Sequence, residues 1–422
     1  MTALLDTPAP SPVSPLPAPS ASTPDAVRAR VAAAKHAYQT RRLAAQLPHL
    51  DGLHLSDRDH RPATGELVLA RVTAIGQHKR LEGPDSRRAT LFLGDEIVVA
   101  YGARYAADQF LAELPEDLGP CHLAAAGGLA SLVIDQHDRL DEPTCLEPVG
   151  VLCDAHGPLT LSRLAELQVR PAVERASRRA LDIPVIAVLG TSMNSGKSTA
   201  LACLAHGLAA AGLGVAAGKA TGTGAGNDAG LFRDAGAHRV LDFTDFGISS
   251  TYRLTLQEVE DLFHSLVDAL AEQPLERFIA GADTPGTADV VLVEIADGLF
   301  QGETAQLLAS ESFAQVVDGI VFAAGDALGA TGGTRALADL GRAPAAVTGV
   351  LTSSPLATAE TRRAVHAPVV PTMQLADADT ARSLLAQIRP AADGTGSRDG
   401  VPGAPGAGTR IDPAHTRTDA DR

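Results

Sequence analysis

The chain has no excess of basic charge, no paired-cysteine motif, no long unbroken apolar run and no repeat of fixed period. Each absence excludes something. With 35 Lys and Arg against 50 Asp and Glu, the formal charge is −15, whereas sequence-independent nucleic-acid binding needs a net basic footprint. The four cysteines (Cys121, Cys145, Cys153 and Cys203) show no C-x-x-C spacing. That disfavours a zinc knuckle, a redox dithiol and a disulfide scaffold. The longest apolar stretch, around Leu201–Ala217, is broken by His206 and several glycines, so it reads as a buried helix and the next strand rather than a membrane span. The N-terminus lacks the basic and apolar regions of a signal peptide, which makes a reducing cytoplasm the expected location. No Asn-Lys-x-Asp occurs, which weakly disfavours a guanine-specific G protein. The histidines are scattered without paired metal spacing.

What is present divides the 422 residues into segments of different character. Residues 1–25, rich in Pro, Ala and Ser, and residues 391–422 bury too little to offset ordering entropy and are expected to be disordered tails. Residues 26–50 are Ala-rich without Gly or Pro until their end, and predict a helix. Residues 51–165 carry short β-branched runs at Leu67–Ile75, Thr90–Leu93, Glu96–Tyr101, Cys121–Ile134 and Cys145–Leu152, which predict a small β-rich, barrel-like domain. A connecting helix is expected over 166–182, in a helical stretch that starts near Leu159. From 183 to 390 apolar strands alternate with helices: Val185–Leu189, Val215–Gly218, Val290–Ile295, Gly319–Ala323, Ala346–Leu351 and a short run at Pro368–Val370. That alternation predicts an α/β domain with a mostly parallel sheet covered on both faces. Among its helices Gln257–Leu270 is the clearest, with Thr255-x-x-Glu258 at its start in capping-box spacing.

The strongest motif is Gly190-Thr191-Ser-Met-Asn194-Ser195-Gly196-Lys197-Ser198-Thr199. It follows an apolar strand and opens a helical run, which is the context a P-loop (Walker A) requires. Glycines let backbone N–H groups turn onto phosphate oxygens, and the helix N-terminus adds positive potential. Gly190, Thr191, Asn194, Ser195, Gly196, Lys197, Ser198 and Thr199 are therefore the candidate nucleotide-binding residues. Lys197 would reach the β- and γ-phosphates and Ser198 would face Mg²⁺. Five residues, not four, separate Gly190 from Gly196. Two further elements follow strands. Val293-Glu294-Ile-Ala-Asp297 ends an apolar strand in a carboxylate, with Glu294 the better metal-side candidate and Asp297 the second. Gly218-Lys219-Ala-Thr221-Gly222 leads through a Gly-rich loop to Asn227-Asp228, and its Lys suits a second anionic group.

Taken together, these elements resemble dethiobiotin synthetase and its P-loop NTPase relatives. That family uses a Gly-Thr-Asp-x3-Gly-Lys-Thr loop with the same five-residue gap. Its second strand runs into Lys-Pro-x-x-Ser/Thr-Gly and then a Mg²⁺-binding Asp. Its third ends in Val-Glu-Gly-Ala-Gly-Gly, and a later strand enters Gly-Leu-Gly-Thr, where this chain has Asp326-Ala-Leu328-Gly329-Ala330-Thr331. The resemblance covers residues 183–390. It implies that Lys197 and Lys219 are catalytic, and that Ser198, Asp228 and Glu294 surround Mg²⁺. It also implies that ATP is the nucleotide. Departures at Ser192, Ala220 and Ile295, and the added β-rich region, point to a sister family with a different acceptor.

Two functions compete. One is an ATP- and Mg²⁺-dependent enzyme, ligase- or kinase-like, that activates a carboxylate, carbamate or similar oxyanion. The other is a nucleotide switch or chaperone NTPase that delivers a cofactor or metal to a partner; a non-catalytic nucleotide-binding regulator stands behind both. The expected partners are a small acidic molecule and neither nucleic acid nor membrane, with a homodimer left open. The hydroxyl-rich segment Asp242–Tyr252 reads as an acceptor pocket or a capped loop. Thr352-Ser353-Ser354 lies where P-loop enzymes often hold the base.

Overall fold

The computed structural model describes residues 23–171, 183–272 and 287–389. Of the two expected tails only residues 23–25 fall in this range, and the expected connecting helix lies outside it from residue 172 on. Among the described residues, no helix is long and apolar enough to cross a membrane.

The chain starts with helix α1 (Pro24–Ala33), capped by Thr23. The helix predicted over 26–50 stops there. Lys35 and His36 instead pair in parallel with Ile97 and Val98, and Ala37 and Tyr38 are buried. Only a one-turn helix at Leu43–Gln46 and a 3₁₀ turn follow, so tertiary pairing overrides the local Ala propensity.

The six longest of the ten strands described in the first sheet are β1 (Leu67–Ala74), β2 (Glu96–Tyr101), β3 (Phe110–Glu113), β4 (Cys121–Ala125), β5 (Leu129–Gln136) and β6 (Thr144–Asp154). Their order β2-β1-β6-β4-β5 closes on itself, because β5 also pairs with β2 through Leu129–Ala100 and Ala130–Tyr101. The β-rich region is thus a small closed barrel with β3 added to β5. The two-residue period of β1 sorts its side chains. Val68, Ala70 and Val72 fill the barrel interior, while Leu67 and Leu69 face outward onto Val27 and Val31 of α1. Two predicted strands differ. The run Cys121–Ile134 is a hairpin, β4 and β5, turned at Gly127 and Gly128, and Gly128 needs its φ of +104°. The Thr90–Leu93 strand is instead Arg88–Thr90, hairpin partner of Arg80–Glu82. Of the helical stretch read from Leu159, the described residues up to 171 hold one turn, Leu161–Leu164, capped by Thr160, and the rest lies outside the described residues.

The second sheet begins with β7 (Val185–Gly190), followed by α2 (Lys197–Ala210), β8 (Val215–Lys219), α3 (Gly226–Asp234) and β9 (Arg239–Asp242). Then come α4 (Leu256–Glu272), β10 (Val290–Glu294), β11 (Gly319–Ala323), α5 (Ala327–Asp339), β12 (Ala346–Thr348) and α6 (Ala378–Ile388). The strand order is β9-β8-β10-β7-β11-β12, and every pairing is parallel. The predicted mostly parallel α/β sheet is present. Its central strand is buried on both faces, as the unbroken apolar run requires. Val185, Ala187 and Leu189 pack on α4 through Leu262, Leu266 and Leu270. Ile186 and Val188 pack on α2 through Leu201, Leu204 and Leu208. Thr255 and Glu258 form the expected reciprocal cap of α4. Strand β9 is an element the sequence reading missed. Pro368–Val370 adds one bridge, Val347–Val369, rather than a strand.

Candidate functional site

The strand–loop–helix unit β7–α2 carries the phosphate-loop motif at the C-terminal end of the sheet. Gly190 ends β7 against Ser195 and Lys197. A Cβ there would lie 2.3 Å from Ser195 Oγ and 2.7 Å from Lys197 Cγ. Gly196 opens α2 at φ +97°, and Asn194 holds φ +61°. Ser195 is buried beneath the loop, and its carbonyl accepts from Val350 N at 3.0 Å. Thr191 N donates to Ala323 O at 3.0 Å, fastening the loop to β11. Lys197 folds back over the loop, its Nζ donating to Ser192 O at 2.8 Å and Asp297 O at 2.7 Å. Burial draws its pKa below the ordinary lysine value, against the pull of Glu294 and Asp297.

Beside it the sheet register sets a second group. Lys219 at the end of β8 is the cross-strand partner of Glu294 at the end of β10. Its ammonium donates to Asp228 Oδ2 in the first turn of α3 and lies 3.7 Å from Glu294 Oε1. Burial opposes its charge, but Glu294 and Asp228 outweigh that and hold it protonated above the ordinary lysine range. The two acids diverge. Burial pushes Glu294 up, with Lys219 and Lys197 pulling it only part of the way back. Asp228, despite its burial, is drawn down by Lys219 and by the Ser198 hydroxyl.

A cleft of about 410 Å³ collects most of these groups: Asn194, Gly196, Lys197, Ser198, Thr199, Lys219, Asp228, Glu294 and Asp297 all line it. Gly190, Thr191 and Ser195 shape the loop from behind and do not line it. The residues assigned to Mg²⁺ pass one physical test. Glu294 is 2 % exposed, and its Oε2 is buried without a hydrogen-bond partner. Such an oxygen is costly unless a cation meets it. Among the described residues, no group of three or more His, Cys, Asp and Glu could hold a metal alone. Mg²⁺ does not need one, since it binds one or two carboxylates plus phosphate oxygens and water.

A second recess of about 330 Å³ adjoins the loop, lined by Thr199, Val350, Thr352, Ser353, Pro371 and Met373 among others. This is where the sequence placed the base. Its polar side chains are hydroxyls, with Thr352 Oγ1 3.1 Å from Thr372 Oγ1, and no carboxylate among the described residues lines it. The Asp242–Tyr252 segment is not an open pocket. Asp242 and Asp245 form a capping box around the turn Phe243–Phe246. The barrel holds this turn: Tyr38 OH donates to Asp242 Oδ2 at 2.8 Å, and Arg41 and Arg42 reach Asp245 Oδ1 at 2.6 and 2.8 Å.

Sequence reasoning missed that the barrel meets the phosphate loop at Asp108. Asn194 Nδ2 donates to Asp108 Oδ2 at 3.1 Å. Arg104, 6 % exposed, bonds Gln109 Oε1 at 2.8 Å. Burial lowers it to about 10, with Asp297 the acid whose field opposes that. No local signal marks Asp108, which lies 86 positions from Asn194.

No family model matches the chain, and no curated protein matches it. Solved structures that do match include the signal recognition particle receptor FtsY from Elizabethkingia anophelis in complex with GDP. It is 15 % identical with a TM-score of 0.25, over 50 % of this chain and 56 % of that one. Another is the signal recognition particle 54 kDa protein from Aeropyrum pernix K1 in complex with GDP, 18 % identical with a TM-score of 0.31 over 54 % and 50 %. The chain spans only about half the length of either. TM-scores this low add nothing to what its own connectivity shows. That connectivity is a parallel sheet with a Gly-Lys-Ser loop between its central strand and the next helix, the setting a phosphate-binding loop requires.

Proposed function

We propose that the chain is a Mg²⁺-dependent P-loop enzyme that moves the γ-phosphoryl group of ATP onto an oxyanion, in the manner of dethiobiotin synthetase but with another acceptor. The observation that carries the reading is the convergence of two lysines and two acids on one cleft. A switch NTPase needs Lys197; it has no required use for Lys219 at the end of the neighbouring strand. The hydroxyl-lined recess beside Val350 favours ATP over GTP, because no carboxylate there could accept from the guanine N1–H and amino group.

In this scheme Lys197 leaves Ser192 O and Asp297 O for the β- and γ-phosphate oxygens. Ser198, Asp228 and Glu294 would hold Mg²⁺, which would supply positive charge to the site. Lys219 stays protonated between its two acids and faces the charge that moves between acceptor and phosphoryl group. An acceptor oxygen forms the new P–O bond while the β–γ bridging oxygen departs with ADP. A nucleophile then displaces phosphate from the mixed anhydride. Most of the rate comes from positioning and charge stabilisation.

The test is ADP release by the purified protein against pooled carboxylate, amine and amino-acid metabolites. An acceptor that raises turnover well above the water-only rate supports the enzyme. Turnover raised by no acceptor but by a protein partner would favour the switch. For that reading the barrel's grip on Asn194 and on the Phe243–Phe246 turn after β9 is the relevant observation.

A further inference from the structure

The two ends of the phosphate loop are fastened within the α/β domain, Thr191 through its N–H on Ala323 O and Ser195 through its carbonyl, which accepts from Val350 N. Among the described residues, one hydrogen bond reaches the tip between them, Ser192–Asn194, from outside the loop. It comes from the barrel, where Asp108 Oδ2 accepts from Asn194 Nδ2 at 3.1 Å. Asn194 is also the loop residue, glycine apart, that holds the left-handed region, at φ +61°. Few side chains tolerate that conformation, and Asn is among those that do. In a phosphate-binding loop the backbone conformation is the site itself, because the donors are its own N–H groups.

Asp108 is firmly presented. It lies in the turn between the short strand Arg104–Tyr105 and β3. Ala106 N donates to Phe110 O at 3.0 Å and Gln109 N donates to Ala106 O at 2.8 Å, which closes the turn. The neighbouring Gln109 is braced twice more. Its carbonyl accepts from His137 N at 2.9 Å, and its Oε1 accepts from the buried Arg104 at 2.8 Å. The sign of the charge is informative. A carboxylate beside a phosphate-binding loop works against an incoming polyphosphate, so attraction to nucleotide does not account for Asp108, whereas its hold on Asn194 does. Arg139, 3.7 Å from the same oxygen, offsets part of the charge.

We infer that Asp108 is a positioning residue: through Asn194 the barrel holds the tip of the phosphate loop in the conformation that receives nucleotide. This rests on the reading of Gly190–Thr199 as a phosphate-binding loop. The contact faces water, with the Asp108 side chain 32 % exposed. A hydrogen bond of ordinary net worth is therefore at stake, roughly threefold to tenfold in affinity.

The experiment uses the full chain as wild type, Asp108→Ala, Asp108→Asn, Asn194→Gly and the double variant Asp108→Ala with Asn194→Gly. ADP affinity in the presence of Mg²⁺ is measured by calorimetry, amide exchange is followed at residues 192–196, and urea unfolding reports overall stability. Asp108→Ala should weaken ADP binding roughly threefold to tenfold and speed exchange at the tip, with the urea midpoint close to wild type. Asp108→Asn keeps an accepting oxygen without the charge, so its affinity should return to within about twofold of wild type. Asn194→Gly leaves Asp108 no side chain to hold, so adding Asp108→Ala to it should cost no further affinity. ADP binding by Asp108→Ala as tight as wild type would overturn the inference and leave the phosphate-loop reading standing. So would an equal loss from Asp108→Ala with and without Asn194→Gly, because the effect would then not run through Asn194. A wild type that binds no ADP would bring down the phosphate-loop reading and this inference with it.

Discussion

Lys219→Ala tests the charge arrangement most directly. The substitution removes an ammonium held by Asp228 and, at 3.7 Å, by Glu294. The side chains of Lys219 and Asp228 are 16 % and 17 % exposed and that of Glu294 is 2 % exposed, so water screens them poorly. At the effective dielectric that fits most protein pairs, one such contact is worth about 4 kcal/mol. Breaking a buried pair from one side costs about 3–5 kcal/mol, because the remaining charge stays unmatched. The variant has one escape, which is to protonate Glu294. Burial already raises that carboxyl, and losing Lys219 raises it further. A carboxyl whose folded pKa lies above its unfolded value loses stability as pH rises from the unfolded to the folded value. We therefore predict a deficit of roughly 3 kcal/mol at pH 8 that shrinks toward pH 5. The wild-type Lys219 contribution is constant over that window, since a raised lysine loses it only above the ordinary lysine pKa. Urea unfolding at both pH values measures the deficit. In parallel, acceptor-dependent ADP release should fall about a hundredfold or more, and ATP affinity less. A deficit below about 1 kcal/mol that does not change with pH would show that the cluster is solvated and refute the reasoning.

Three further outcomes are expected. Lys197→Ala should abolish nucleotide binding and turnover by calorimetry and ADP release, with the fold intact by circular dichroism; unchanged affinity would end the phosphate-loop reading. Asp228→Asn and Glu294→Gln should each shift the Mg²⁺ titration of turnover to higher concentration, and two curves matching wild type would make these acids structural. Gly333→Ala in α5 should cost about 1–3 kcal/mol in urea unfolding, because its Cβ would lie 2.1 Å from Phe322 Cζ in the core of the sheet; equal midpoints would mean that the helix moves away freely.

The legible parts were those encoded locally. Gly190–Thr199 announces its loop because positive φ, a close glycine contact and a helix start all fall within ten neighbouring positions. Strand β7 is readable because burial on both faces leaves no polar residue in Val185–Leu189. Strand β9 was not, being four residues long with Arg239 and Asp242 at its ends. The Cys121–Ile134 run was read as one strand because β-branched content says nothing of where two glycines fold it back. Asp108 was beyond reach for another reason. It meets a segment far along the chain, and only the docking of barrel on sheet makes the two neighbours. The hydroxyl-rich Asp242–Tyr252 segment shows the converse, since a composition suited to a pocket serves to anchor the barrel.

The register of β8 against β10 has a consequence for how this site can change over time. Lys219 faces Glu294 as the last step of a ladder that starts with Val215 opposite Val290. Side chains alternate between faces along each strand. A one-residue deletion anywhere within Val290–Val293 would slide Glu294 out of step and turn its place toward the opposite helical layer. Insertions in the loops after Lys219 or Glu294 leave the ladder untouched. The acceptor-facing loops can therefore lengthen and diverge, while the two strands beneath them admit substitutions but no change of length.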